Sequence, residues 1–421
     1  MFFSLLNNHT AKFFLLCLAV IKLTESFVAV PDEDANRTTA ELIASKGYPV
    51  EEYTITTEDH YAITVHRIPA GRVGVQGWPG MQKTVAFLMT GLEGSSADFV
   101  VNMPHQSLGF ILADHGYDVW LGNVRGTKYS NHAWLRKEGK DFWDFSIDEM
   151  AAYDLPAQLD WILQKTQQHS LQYVGWSQGC GIMFALLAEK PGYNDKIQLF
   201  QAIAPAVFLG HMTSPMKRLS AHSKPIYEIG EVIFQGTVLG RHNDFIDKIK
   251  QMSCNPVFPS ISCRAAFFFV NRGFPVDINM TRLPVYLGNS PSGSSVRNLL
   301  HYGQLTKSKR FQKFDWGPKK NWKVYGKLLP PKYDLRKVTT PVAIYWGDGD
   351  VLVTPRDVAR LARSLPHVVL NYKVPIPGFT HFDSVWSVTA WKHLYKKILE
   401  LMTKYSSSIS TVHMSPHNSN E

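Results

Sequence analysis

The pentapeptide Gly175-Trp176-Ser177-Gln178-Gly179 stands between two apolar segments, residues 171–174 and residues 182–188, and Pro191-Gly192 ends the second. A serine with glycine two residues to each side reads as a sharp strand-to-helix turn. The serine takes a strained backbone conformation, and a β-carbon at either flank would crowd the neighbouring chain. At ordinary Gly and Ser usage the bare pattern arises by chance in about one chain of this length in seven. The strand before it and the helix after it therefore carry the weight.

The same rhythm runs through most of the chain. Residues 53–57 and 61–68 alternate apolar and polar side chains about Glu58-Asp59-His60, which predicts an antiparallel hairpin. Apolar strands are expected at 84–89, 117–121, 171–174, 199–203 and 342–346, alternating with helical stretches such as 147–163. That pattern belongs to a mostly parallel α/β sheet. Between Ala206 and about Leu335 it breaks into helical pieces and Pro/Gly-rich loops, and it resumes at Thr340-Pro341. Residues 207–335 thus read as an inserted, mainly helical cap between a first core part, 27–206, and a second, 336–405. The Phe267-Phe268-Phe269 run suits either apolar substrate contacts beneath such a cap or the cap's own core. Ser, His and Asn dominate residues 406–421, where a disordered tail is expected.

A chain of 421 residues, 45% of them hydrophobic, can bury a large core, and no run of about 20 apolar residues beyond the N-terminus suggests a membrane span. Lys12, nine apolar residues at 13–21 and Thr24-Glu25-Ser26 read as a secretory signal over residues 1–26, with cleavage expected after Ser26. Without Lys12, Lys22 and Glu25 the chain carries 42 basic and 34 acidic residues, a formal charge of +8. These charges are dispersed in short clusters such as Lys319-Lys320, which favours a basic surface near anionic lipid interfaces over nucleic-acid binding. Stable membrane insertion is not expected. With Cys17 in the signal, Cys254 and Cys263 could close a short loop in an oxidising compartment, leaving Cys180 as a buried thiol. Sequons at Asn36 and Asn279 agree with secretion and are the candidate glycosylation sites.

A serine hydroxyl is a weak nucleophile and needs a base, which needs an anionic partner to hold its tautomer. For a strand-turn-helix serine the partners come in the order acid, then histidine. Asp348 and Asp350 compete for the acid role in the Gly-rich loop after strand 342–346, with Asp383 a weaker option. His381 lies beyond the strand expected at 368–374 and has few rivals among the sixteen histidines, because His367 precedes that strand and His393, His413 and His417 lie too near the C-terminus. Two backbone donors must hold the developing oxyanion. The amide after the nucleophile, on Gln178, is one, and the turn Thr90-Gly91-Leu92-Glu93-Gly94 offers the Leu92 amide as the other.

Taken together, these motifs resemble the acid lipases of animals, the gastric, lingual and lysosomal acid lipase family of α/β-hydrolases. The likeness starts at Lys46-Gly47-Tyr48-Pro49 and runs through Asn123-Val124-Arg125-Gly126-Thr127, Asp141-Phe142-Trp143-Asp144-Phe145-Ser146, Asp148-Glu149-Met150, Tyr153-Asp154-Leu155-Pro156-Ala157, Gly293-Ser294-Ser295-Val296 and Phe314-Asp315-Trp316-Gly317. The resemblance implies an α/β-hydrolase fold with an inserted helical cap. It puts the nucleophile on Ser177, the acid on Asp350 and the base on His381, so favouring Asp350 over Asp348. The oxyanion donors fall on Leu92 and Gln178, and the cap disulfide on Cys254 and Cys263. Trp176 and Thr90 stand where the family usually has histidines, Glu93 replaces an apolar residue, and Cys180-Gly181 replaces two threonines. An inward Glu93 carboxylate would repel an oxyanion, so it is expected to point outward or be neutralised.

The implied function is a secreted or lysosomal serine ester hydrolase that acts, as a monomer and without cofactor or metal, on neutral lipids at a lipid–water interface: triacylglycerols or cholesteryl esters. An esterase for small soluble esters and a non-catalytic lipid-binding protein on the same scaffold are the alternatives.

Overall fold

Alternation of side chains sets the architecture. In β3 (Val85–Met89) every residue is buried: Val85, Phe87 and Met89 enter one apolar cluster while Ala86 and Leu88 enter another. A strand dry on both faces needs cover on both, as parallel sheets have. The structure, a computed structural model, describes residues 32–72, 83–217, 237–238, 254 and 261–412. The expected signal at 1–26 lies outside them, as do parts of the cap and the last nine residues.

β1 (Glu51–Thr56) and β2 (Tyr61–Ile68) form the antiparallel hairpin, in register from Glu51 with Arg67 to Thr56 with Ala62. β2 also pairs antiparallel with β4 (Asp118–Gly122) and β5 (Ser130–His132). From β4 onward the pairing is parallel, through β3, β6 (Leu171–Trp176), β7 (Ile197–Ile203), β10 (Val342–Trp346) and β11 (Val368–Lys373). The order β1-β2-β4-β3-β6-β7-β10-β11 places β6 near the middle. Its C-terminal end, where Ser177 sits, is therefore flanked by the loops after β3 and β7.

Ahead of the hairpin, α1 (Thr39–Ser45) starts from a Thr38 and Glu41 capping box. α2 (Leu155–Thr166) continues a helical turn, Ile147–Glu149, through a π turn, Met150–Asp154, and so fills the helical stretch expected at 147–163. α3 (Gln178–Glu189) is buried at every position but its last, as a helix beneath a sheet must be. Between β7 and β10 come α4 (Ile261–Asn271), α5 (Leu283–Asn289), α6 (Val296–Ser308) and α7 (Pro318–Tyr325), together with a two-residue pairing of β8 (Thr237–Val238) and β9 (Ser294–Ser295). This insertion is tied firmly to the core. Arg282, just before α5, donates to the Val101 carbonyl (2.7 Å) and meets Asp32 (3.2 Å) and Asp34 (2.9 Å), and Tyr286 stacks on Trp386 at 5.1 Å.

Within the insertion, a disulfide joins Cys254 to Cys263. Phe267 is buried against Phe274 and Trp386, which makes it core, whereas Phe268 is exposed and the Phe269 side chain lies outside the described residues. The last helix, α8 (Lys396–Val412), runs six residues past Ser406, into the stretch where a disordered tail is expected. It docks on the sheet: Ile398 and Met402 are fully buried, and the Gln172 amide donates to the Met402 carbonyl and to the Ser406 hydroxyl, both at 2.9 Å. Among the described residues no helix is long and apolar enough to cross a membrane.

Candidate active site

β6 ends at Trp176 and α3 begins at Gln178, leaving Ser177 alone at the bend with φ 51° and ψ −110°. Such a conformation costs a residue with a β-carbon about 1–3 kcal/mol and persists only if its surroundings enforce it. Here they do. The Ser177 N–H donates to the Ile203 carbonyl (2.9 Å), and the Ser177 carbonyl accepts from the N–H groups of Cys180 (3.1 Å) and Ala206 (3.2 Å). The flanking glycines are demanded by contact. A β-carbon on Gly175 would lie 2.8 Å from the Cys180 nitrogen, and one on Gly179 would run into the Met89 carbonyl and sit 2.8 Å from that of Thr90. Cys180 itself is buried, donates to the Gly175 carbonyl (3.0 Å), and has its pKa pushed well up by burial, so it is an inert thiol.

The expected acid and base stand on two loops pressed together. Gly347 and Gly349, after β10, have no room for a β-carbon because the carbonyls of Phe379 and Gly378 fill the place, and the Gly349 N–H donates to the Phe379 carbonyl (3.1 Å). This contact brings Asp350 Oδ2 within 2.7 Å of His381 Nδ1. The other oxygen, Oδ1, accepts from the Leu352 and Val353 N–H groups at 2.8 Å each, which fixes the carboxylate's orientation. Ser177, Asp350 and His381 are 7%, 4% and 3% exposed, so this polar set works largely out of water.

The rival carboxylates are occupied elsewhere. Asp348 pairs with Lys373 (2.7 Å) and accepts from the Gly378 N–H (2.8 Å), and the Lys373 bond holds its pKa below the usual range. Asp383 accepts from the Thr380 N–H (2.7 Å) and hydroxyl (2.5 Å), and burial raises its pKa. The ring of Trp176, immediately before Ser177, lies 5.5 Å from that of His381 at an interplanar angle of 36°. The imidazole is thus held against the turn that carries the serine.

The loop after β3 closes on the same point. A β-carbon on Gly91 would stand 3.3 Å from Ser177 Cβ and 2.9 Å from the Trp176 ring. Leu92 comes directly after it. Gln178 is the first residue of α3, so its N–H has no acceptor within the helix, and its side-chain oxygen accepts from Asn298 of α6 (2.8 Å). Glu93, at φ 60°, has its carbonyl held by the Ser292 N–H (2.6 Å), and its carboxylate oxygens are buried.

Two supports lie beyond the sequence motifs. Asn298 is one; the other is Asp98, which hydrogen-bonds the Thr90 hydroxyl and accepts from the Ser95 N–H (3.2 Å), closing the loop that carries Leu92. Burial pushes the Asp98 pKa up to about 7. The Ser95-to-Asp98 spacing is a capping-box signature and could have flagged this residue. A second serine–histidine–carboxylate set does not include Ser177: Ser96 Oγ is 2.9 Å from His66 Nδ1, and Glu52 is 3.1 Å from His66 Nε2. Ser96 is fully buried and shared with Thr39 and Asn123 (3.1 Å each), while burial holds His66 down to about 3. A shut-in hydroxyl beside a neutral imidazole serves as a structural link. Asn36 is exposed beside α1, and the Asn279 side chain accepts from the Thr281 hydroxyl (2.7 Å). Among the described residues no three His, Cys, Asp or Glu side chains are grouped to hold a metal.

The arrangement has known counterparts. The family of the alpha/beta hydrolase fold matches residues 87–387, and that of the partial alpha/beta-hydrolase lipase region matches residues 39–103. The chain is similar to the lipase member K of Homo sapiens, 39% identical over 88% of this chain and 92% of that one. It is likewise similar to the gastric triacylglycerol lipase of Mus musculus, 37% identical over 88% and 93%. The lysosomal acid lipase/cholesteryl ester hydrolase of Homo sapiens is 37% identical over 89% and 92%.

Proposed function

The chain belongs to the acid lipase family of α/β-hydrolases and is a carboxylic ester hydrolase, and from that premise we propose that it cleaves neutral lipid esters, triacylglycerols or cholesteryl esters, through an acyl-enzyme at Ser177. The Ser177 hydroxyl oxygen attacks the ester carbonyl carbon as His381 takes its proton through Nε2. Asp350, bonded to Nδ1, holds the tautomer that leaves Nε2 free to accept and stabilises the imidazolium that results. The backbone amides of Leu92 and Gln178 hold the oxyanion. His381 then returns the proton to the leaving alcohol, and water repeats the sequence to release the fatty acid and restore the serine.

The observation that carries this reading is the delivery of a bonded Asp350–His381 pair against the strained turn at Ser177. The substrates for which two relatives are named, triacylglycerols and cholesteryl esters, support the substrate class. The expected signal, the disulfide and the two sequons support a secreted or lysosomal site of action. In the test, Ser177→Ala abolishes hydrolysis of an emulsified triacylglycerol while the thermal midpoint stays within a few degrees of wild type. Retained turnover would assign the chemistry to another nucleophile. Higher rates on long-chain esters above their solubility than on short soluble ones separate a lipase from an esterase.

A further inference from the structure

The segment from Trp316 to Tyr333 contains no acidic residue, yet it carries Lys319, Lys320, Lys323, Lys327 and Lys332. It comprises α7 and the loop after it. Most of it is exposed, including four large apolar side chains: Trp322 (62%), Val324 (52%), Leu328 (60%) and Leu329 (65%). None of the five lysines pairs with a carboxylate among the described residues, and Lys320 instead lies 3.4 Å over the Trp316 ring. Water is a poor solvent for such a cluster of indole and leucine side chains, and a monomer seldom leaves it uncovered without use.

The segment is also held stiffly. Gln304 of α6 donates to the Asp315 carbonyl (2.9 Å) and accepts from the Asp315 N–H (2.7 Å), Asn321 bonds the Asp315 carboxylate (2.8 Å) and the Leu328 carbonyl (3.0 Å), and Tyr325 donates to the Phe314 carbonyl (2.9 Å). The exposed residues are thus presented on a fixed support rather than on a frayed end. That support is α6, the same helix whose Asn298 touches Gln178 in the active site.

We propose that residues 318–329 form the surface by which the protein docks on a lipid layer bearing anionic headgroups. Interleaved lysines and apolar side chains with an exposed tryptophan suit the boundary between headgroups and acyl chains, where the indole and leucines enter and the ammonium groups remain at the phosphates. The absence of acidic residues from the segment favours a negative surface over a neutral one. This inference rests on the lipase reading and names the surface that such an enzyme meets.

The test compares full-length wild type with Lys319→Gln/Lys320→Gln/Lys323→Gln and with Trp322→Ser/Leu328→Ser/Leu329→Ser. Co-sedimentation is measured with phosphatidylcholine vesicles alone and with vesicles containing phosphatidylserine, at low and high salt, and hydrolysis of a soluble short-chain ester is measured in parallel. Adding phosphatidylserine should strengthen wild-type binding in a salt-sensitive way. The lysine variant should lose that gain, on the order of a hundredfold for three charges, and the apolar variant should bind neither vesicle well. Soluble-ester turnover should be unchanged in both. Undiminished vesicle binding in both variants overturns the proposal, as does self-association of the wild type that the apolar variant abolishes, which would make the patch an interface between two copies. A wild type that binds vesicles but hydrolyses no ester would overturn the lipase reading and leave the surface standing.

Discussion

Two aspartates two residues apart receive different work because of what each backbone neighbour offers. Asp350 accepts two amides through one oxygen and holds His381 through the other, while Asp348 is spent on Lys373 and the Gly378 amide. Asp350→Asn should therefore lower kcat on a soluble ester by about 10⁴-fold, as loss of the tautomer-holding acid does in serine hydrolases. Asp348→Asn should leave kcat nearly untouched and cost about 0.2–1 kcal/mol of stability, the worth of a half-exposed pair. Kinetics and thermal melts on the two variants check both outcomes, and a reversed order would reassign the acid. The serine and the histidine are legible in the sequence because each stands at a strand end that composition marks. The choice between the aspartates is not, since it depends on how the Gly347-to-Asp350 loop packs on residues 378–379. Resemblance to a family, rather than the residues themselves, favours Asp350. The setting of Glu93 is hidden for a related reason: a distant partner, Ser292, bonds its backbone carbonyl, and no local pattern announces that contact.

Among elements, the legible ones are those whose own sequence is apolar and periodic. The hairpin and the parallel strands emerge within a residue or two of their expected bounds, because their burial is written in alternation or in unbroken apolar runs. β5 and the β8–β9 pair leave no such trace: Ser130-Asn131-His132 and Ser294-Ser295 are polar and short, and only a neighbouring strand makes them extended. Attachment of the insertion to the core is likewise a tertiary matter. The turn Ile147–Glu149 and the Asp144 before it offer three carboxylates to the cap. Asp144 and Glu149 meet the buried Arg297 guanidinium at 3.3 and 2.6 Å, and Asp148 accepts from the Phe314 N–H (2.9 Å) and the Tyr333 hydroxyl (2.5 Å). Arg297 also lies 4.9 Å over the Trp316 ring. Arg297→Ala should cost about 1–3 kcal/mol, less than the 3–5 kcal/mol of a fully buried pair because Asp144 is largely in water. Arg297→Lys should recover only part of this, since an ammonium cannot stack and fork at once. Urea denaturation of the three proteins measures it, and full recovery by lysine would show that charge alone matters.

At the scale of the molecule, two buried titrations pull stability in opposite directions as the pH falls. Asp98, raised by burial to about 7, binds its proton in the folded chain well before the unfolded chain does, so acidification from about pH 7 to about pH 5 stabilises the fold. His66, lowered by burial to about 3, refuses the proton that the unfolded imidazole takes near 6.5, so the same acidification destabilises it. Each effect is worth about 2 kcal/mol over that interval, at about 1.4 kcal/mol for each pH unit across which the folded and unfolded states differ by one proton. The two groups therefore oppose each other between neutral and mildly acidic pH. Removing one should expose the other. Asp98→Asn leaves His66 unopposed, and its unfolding free energy should drop by about 2 kcal/mol more than that of wild type between those two pH values. His66→Gln leaves Asp98 unopposed and should gain stability on acidification relative to wild type, even if both variants are weaker at pH 7 for loss of hydrogen bonds to Thr90 or Ser96. The readout is the difference in unfolding free energy between the two pH values, which cancels any constant loss from the substitution. Parallel pH dependence in all three proteins would mean that neither buried group changes its protonation on unfolding.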